Sequence, residues 1–135
     1  MKSSRKLQDS LENFRKALDK LASALKIVND RELVVEGTIQ RFEIVVELTW
    51  KTLRRALRYE GVYSVLPRDT MRAAFSAGWL HQEQLWQELL DRRNDTSHEY
   101  LDDQFILDYY ADIKGLYPEI EKLLTFLEVR YKSLT

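Results

Sequence analysis

Arg93-Asn94-Asp95-Thr96-Ser97-His98-Glu99-Tyr100 brings together an arginine, a neighbouring amide, a histidine five positions on and a tyrosine two further. These side chains suit phosphate chemistry. Arginine carries a permanent planar cation that can fork onto two phosphate oxygens. Histidine takes up and returns a proton near neutral pH. The chain has one other histidine, His81, so the pairing draws attention. Taken alone it is weak, because a chain with twelve arginines often places one shortly before a histidine. A structural reading of the same residues is equally sound. Thr96 and Glu99 are spaced as a capping box, Asp102 can cap a following helix, and Arg92 and Arg93 complement the negative end of a preceding one.

A second cluster, Lys51, Arg54, Arg55 and Arg58, shares one helix face. It reads either as a solvated helix end, with Glu47 paired to Lys51 one turn on, or as a phosphate-tracking strip beside the Arg93/His98 site. His81 precedes a helix and is expected to be exposed. It shares no recognisable ligand spacing with His98, so no metal site is expected, and no cofactor. Trp50, Trp79 and Trp86 lie on or beside apolar helix faces and are expected in the core. The chain has no glycine-rich phosphate loop and no nucleophile elbow.

The elements that position these residues are helices. Four glycines and two prolines in 135 residues favour long uninterrupted helices, and no alternating strand pattern occurs. Leu7, Leu11, Phe14, Leu18, Leu21, Leu25 and Val28 form a strict seam, ended by Asn29-Asp30. A second helix runs from about Glu32 to Glu60 with Gly61 as its cap. It buries Val35, Ile39, Phe42, Val46, Leu53 and Leu57, while Ile44 and Leu48 point nearly the opposite way, as in a helix either central in its bundle or at a subunit interface. Pro67 opens a short third helix closed by Gly78, and a fourth spans roughly Gln82 to Arg93. The last starts near Asp102 or Asp103 and carries Ile106, Tyr109, Tyr110, Ile113, Tyr117, Ile120, Leu124, Leu127 and Tyr131, with Pro118 as a potential kink or break. The expected fold is all-α: one domain over residues 1–135, an up-and-down antiparallel bundle of three long and two short helices. Cysteine is absent, which excludes disulfides and fits a cytoplasmic setting. No apolar run reaches membrane-spanning length, and no signal peptide is evident. The net charge of −1 confines any nucleic-acid site to a local patch.

Three longer strings add to this. Gly37-Thr38-Ile39-Gln40-Arg41-Phe42-Glu43 with Glu47-Leu48-Thr49-Trp50-Lys51-Thr52-Leu53 resembles the hallmark helix of the nucleotidyltransferase substrate-binding protein family. So do Pro67-Arg68-Asp69 leading to Ala73-Ala74-Phe75-Ser76-Ala77-Gly78, and the Trp86 helix running into Arg93-Asn94 and Ser97-His98-Glu99-Tyr100. The resemblance covers nearly the whole chain. It implies a HEPN-type (higher eukaryotes and prokaryotes nucleotide-binding) bundle, a homodimer, and a partner that is a minimal nucleotidyltransferase. The complete Arg-x4-His-x-Tyr form resembles that of HepT-like toxins, metal-independent ribonucleases silenced when a MntA-like antitoxin transfers AMP to the tyrosine. By that resemblance Arg93 and His98 are the catalytic pair, Asn94 a supporting residue and Tyr100 the AMP acceptor. Arg92, where the family has no second basic residue, is a candidate to share phosphate binding. The substrate-binding group implies an alternative, a non-catalytic subunit that presents a nucleotide or substrate to the transferase.

Overall fold

The computed structural model describes the backbone of residues 2–27, 32–99 and 103–134, and the side chains of 4–27, 34–91 and 104–134. Five α-helices form: α1 (Lys2–Leu25), α2 (Glu32–Tyr59), α3 (Pro67–Ser76), α4 (Glu83–Glu99) and α5 (Asp103–Arg130), with a short 3-10 turn at Lys132–Leu134. No strand occurs among the described residues.

The α1 seam is the first stave of the core: Leu7, Phe14, Leu18 and Leu21 are fully buried. Val28, Asn29 and Asp30 lie outside the described residues. α1 runs antiparallel to α2, since Arg41 donates to the Lys20 carbonyl at 2.8 Å and Thr52 to that of Ser10 at 3.4 Å. α2 and α5 run parallel, because Phe42 meets Tyr109 edge to face at 5.8 Å and Tyr59 meets Tyr131 likewise at 5.7 Å. Each such ring pair adds about 0.5–1.5 kcal/mol beyond burial. α4 returns against α5, and α3 bridges the end where α2 finishes.

Both glycine caps form as expected. Gly61 adopts φ 86°; its N–H reaches the Arg58 carbonyl at 2.9 Å and the Val62 N–H reaches that of Leu57 at 2.9 Å. Gly78, at φ 80°, repeats this double bond to Phe75, with Trp79 closing on Ala74. These are Schellman closures, which need a residue at ease in the left-handed region. Pro67 opens α3 as expected, following an extended Leu66.

Three expectations need correction. Leu48 does not point away from the core; it packs partly buried against it, because it shares with Arg41 and Thr52 the sector of α2 that α1 covers. Ile44 alone of that pair stands in solvent, 52% exposed. Pro118 neither ends nor divides α5, which runs unbroken past it. Its ring is exposed, so the carbonyl it leaves unpaired, that of exposed Lys114, faces the solvent side of the helix. Finally, α4 does not stop at Arg93. It continues to Glu99, so Thr96 and Glu99 lie inside a helix and cannot form its N-terminal box, nor do Arg92 and Arg93 sit in its last turn.

Candidate functional site

The continuity of α4 sets the geometry of the Arg93–Tyr100 segment. Arg92, Arg93, Asn94 and His98 all stand on its backbone, and Tyr100 lies outside the described residues. On an unbroken helix Asn94 and His98 are one turn apart on the same face, and Arg93 is five residues from His98, about 7.5 Å along the axis. The side chains of residues 92–99 are also outside the described set.

Immediately before this segment, α4 and α5 part to form a groove of about 450 Å³ lined by Leu85, Glu88, Asp91, Tyr109, Asp112 and Leu116, among others. Its floor is apolar and its rim acidic. Tyr109 ties the groove to the core: it is fully buried, stacks edge-on against Phe105 at 5.9 Å and carries the contact to Phe42. Beside it Lys114 lies over the Tyr110 ring, 4.8 Å from the centroid.

The second cluster is placed elsewhere. Lys51 pairs with Glu47 at 3.1 Å, as the structural reading expects. Arg55 and Arg58 are exposed and Arg54 half-buried. The strip does not lie beside Arg93 and His98. Phe42 shares a level with Tyr109, which shares the groove with Asp91; Arg54 stands twelve residues beyond Phe42, about 18 Å further along α2. From Asp91, α4 advances in the opposite direction, toward the start of α5. The two basic clusters therefore occupy opposite ends of the bundle.

Trp79 and Trp86 are buried and Trp50 is partly buried against the core, donating to Glu47 at 3.2 Å. His81 is exposed just before α4. Among the described residues no three His, Cys, Asp or Glu side chains gather as a metal site, and no helix is long and apolar enough to cross a membrane.

Two polar clamps escape a reading that follows apolar periodicity. Arg15 of α1 reaches both Glu121 (2.7 Å) and Glu128 (2.7 Å) of α5. The hydrogen bond to Glu128 is the chief reason its guanidinium is held still more firmly protonated than usual. The signal was present: two glutamates seven apart on one helix face, opposite a single arginine. Three residues beyond Glu128, the Tyr131 hydroxyl donates to Glu60 at 2.9 Å, and Arg130 donates to the same carboxylate at 2.9 Å. The tyrosine bond is the main cause of the lowered Glu60 pKa, and burial pushes the Tyr131 phenol up to about 12. No local pattern links positions 60 and 131; only the parallel packing of α2 and α5 does.

Residues 9–129 match the model of a family described as nucleotidyltransferase substrate binding protein like. A protein of Haemophilus influenzae named probable ribonuclease HepT is 32% identical over 107 residues, covering 74% of this chain and 71% of that protein. A crystal structure of a protein from Thermus thermophilus aligns with a TM-score of 0.79 at 26% identity, over 84% of this chain and 98% of that one.

Proposed function

Because the chain belongs to the nucleotidyltransferase substrate binding protein like family, we propose that it is the helical partner of a minimal nucleotidyltransferase and cleaves RNA without a metal ion. The observation that carries this reading is the placement of Arg93, Asn94 and His98 on one unbroken helix, in a chain 32% identical to a probable ribonuclease.

RNA carries its own nucleophile. The 2′-hydroxyl oxygen bonds to the adjacent phosphorus, the bond from phosphorus to the 5′-oxygen breaks, and a 2′,3′-cyclic phosphate and a free 5′-hydroxyl result. A base must accept the 2′ proton, an acid must return one to the departing oxygen, and a cation must meet the charge growing on the phosphorane. His98 transfers protons, Arg93 clamps phosphate with Arg92 in support, and Asn94 orients them. One histidine cannot serve as base and acid at once. A two-fold homodimer would bring two copies of the pair to one cleft. Ile44, exposed on α2, remains as an apolar residue for such an interface.

Transfer of AMP to the Tyr100 hydroxyl, with release of pyrophosphate from ATP by the partner transferase, would add charge and bulk two residues from His98. The decisive experiment incubates the protein with labelled RNA in chelator. Cleavage that His98→Ala abolishes, with the helical content intact, is the expected result; an unchanged rate in that variant overturns it. Intact mass after incubation with the transferase and ATP should rise by one AMP, and Tyr100→Phe should prevent the gain.

The family's description favours a second reading, a subunit that binds substrate for the transferase without cutting anything. RNA binding with no cleavage in chelator, or in added metal, would select it.

A further inference from the structure

Among the described residues four arginines are matched to carboxylates. Arg15 holds Glu121 and Glu128, Arg68 pairs with Asp91, Arg72 with Glu83 at 3.7 Å and Arg130 with Glu60. Arg41 caps a carbonyl of α1. Arg54, Arg55 and Arg58 break the pattern: among the described residues none of them meets a carboxylate. Between Lys51 and Arg72 six basic residues accompany two acidic ones, in a chain whose net charge is −1. One of those two acids, Glu60, is already engaged by Arg130 and Tyr131. The imbalance is thus local, and the surrounding structure leaves it uncompensated.

An aromatic ring stands within the same patch. The Schellman closure at Gly61 turns the chain out of α2 into an extended segment, and Tyr63 on it is 72% exposed. The Arg58 guanidinium lies 5.3 Å from its ring centroid, which fixes one face of the ring and leaves most of it in solvent. Arg54 and Arg58 are one helical turn apart, about 6 Å along the axis, and Arg55 stands beside them. A row of uncompensated guanidiniums ending in an open aromatic face matches a ligand with regularly spaced anions and flat, unstacked bases.

We propose that Arg54, Arg55, Arg58 and Tyr63 form a binding strip for single-stranded nucleic acid, guanidiniums on successive phosphates and the tyrosine ring under a base. A duplex hides its base faces and would leave Tyr63 unused. An acidic protein surface would satisfy the arginines but offers no flat ring for the tyrosine. The strip stands at the opposite end of the bundle from Arg93 and His98, so it is an anchoring site, not part of the catalytic centre. That its natural ligand is RNA rests on the ribonuclease reading; the binding itself does not.

The test uses labelled 12-nucleotide oligo-deoxythymidine in chelator, which has no 2′-hydroxyl and cannot be cut by internal attack. Fluorescence anisotropy across a salt series reads affinity and its salt dependence. Arg54→Gln/Arg55→Gln/Arg58→Gln should reduce the salt slope by about 2, at roughly 0.7 per lost phosphate contact on a single strand. Tyr63→Ala should weaken binding on the order of 10-fold or more with the slope unchanged, since stacking is uncharged. Replacing the three arginines by lysine should restore the slope. Unchanged affinity and slope in the glutamine variant overturn the proposal. So does a glutamine variant that loses the transferase partner while binding the oligonucleotide normally, which would mark the patch as a protein interface. If wild-type protein binds oligo-uridine and oligo-deoxythymidine alike but cuts neither, the ribonuclease reading falls and the strip stands.

Discussion

Arg15 and Arg58 are the same side chain on the surfaces of neighbouring helices, and the molecule uses them in opposite ways. Arg15 is three-quarters buried between α1 and α5, with both ends of its fork taken by Glu121 and Glu128. Arg58 lies over an exposed tyrosine with no carboxylate among the described residues. One guanidinium is consumed by the fold; the other is left available. A buried, bidentate cation contributes to stability because removing it strands its partners, whereas an exposed one contributes little and can be given to a ligand. The difference shows which charges to remove when looking for function.

That contrast is sharpest in stability measurements. Arg15→Met leaves two carboxylates on the same face of α5 without their shared cation at the α1–α5 seam. It should lower unfolding free energy by about 2 kcal/mol, below the full cost of breaking a buried pair because all three groups touch water. Glu121→Gln with Glu128→Gln in the same background should recover much of the loss. The midpoint of urea unfolding reads both. A loss below about 0.5 kcal/mol would erase the distinction between the two arginines.

Next in size is Gly61→Ala, at the turn that ends the strip. Open space surrounds the missing Cβ, so the cost is backbone strain alone, about 1–1.5 kcal/mol at φ 86°. A larger loss would mean that the exit from α2 does more than reverse the chain.

Tyr131→Phe should cost about 1 kcal/mol at pH 7, one hydrogen bond to a carboxylate. Its pH dependence is more telling. The folded phenol keeps its proton to about pH 12, while the unfolded one releases it near 10. Stability from this group is therefore complete below pH 10 and lost as pH climbs from 10 to 12. The phenylalanine variant should show a shallower alkaline decline in chemical denaturation. Glu60 acts in the other direction: its lowered pKa gives stability that is present above the ordinary carboxylate range and lost on acidification through the lowered value.

The smallest effect is expected from Arg54→Gln/Arg55→Gln/Arg58→Gln, within about 0.5 kcal/mol of wild type. Thermal unfolding that falls well outside that range would show that the strip serves the fold after all.

Much of this bundle was legible in the chain. The α1 seam, the apolar face of α2, the two glycine caps and the run from Ile106 to Tyr131 follow from a 3.6-residue period and from the conformational freedom of glycine, both local properties. The family likewise followed from strings of adjacent residues, and the motif on α4 was visible as spacing. Helix ends were less so. Thr96 and Glu99 carry a capping signature that local rules cannot distinguish from a helix interior, and α4 runs through it.

Tertiary structure decided what no local window contains. It set Leu48 against α1, joined Glu60 to Tyr131 across the parallel α2–α5 pair, and gave Arg15 its two carboxylates. It also moved the Arg54–Arg58 strip to the far end of the bundle from Arg93 and His98. Periodicity determines the main inward face of each helix, because an apolar stripe must leave water wherever the helix packs. Which charges meet, and which are left to solvent, depends on the direction and level at which helices pack, and that is fixed only when the core closes.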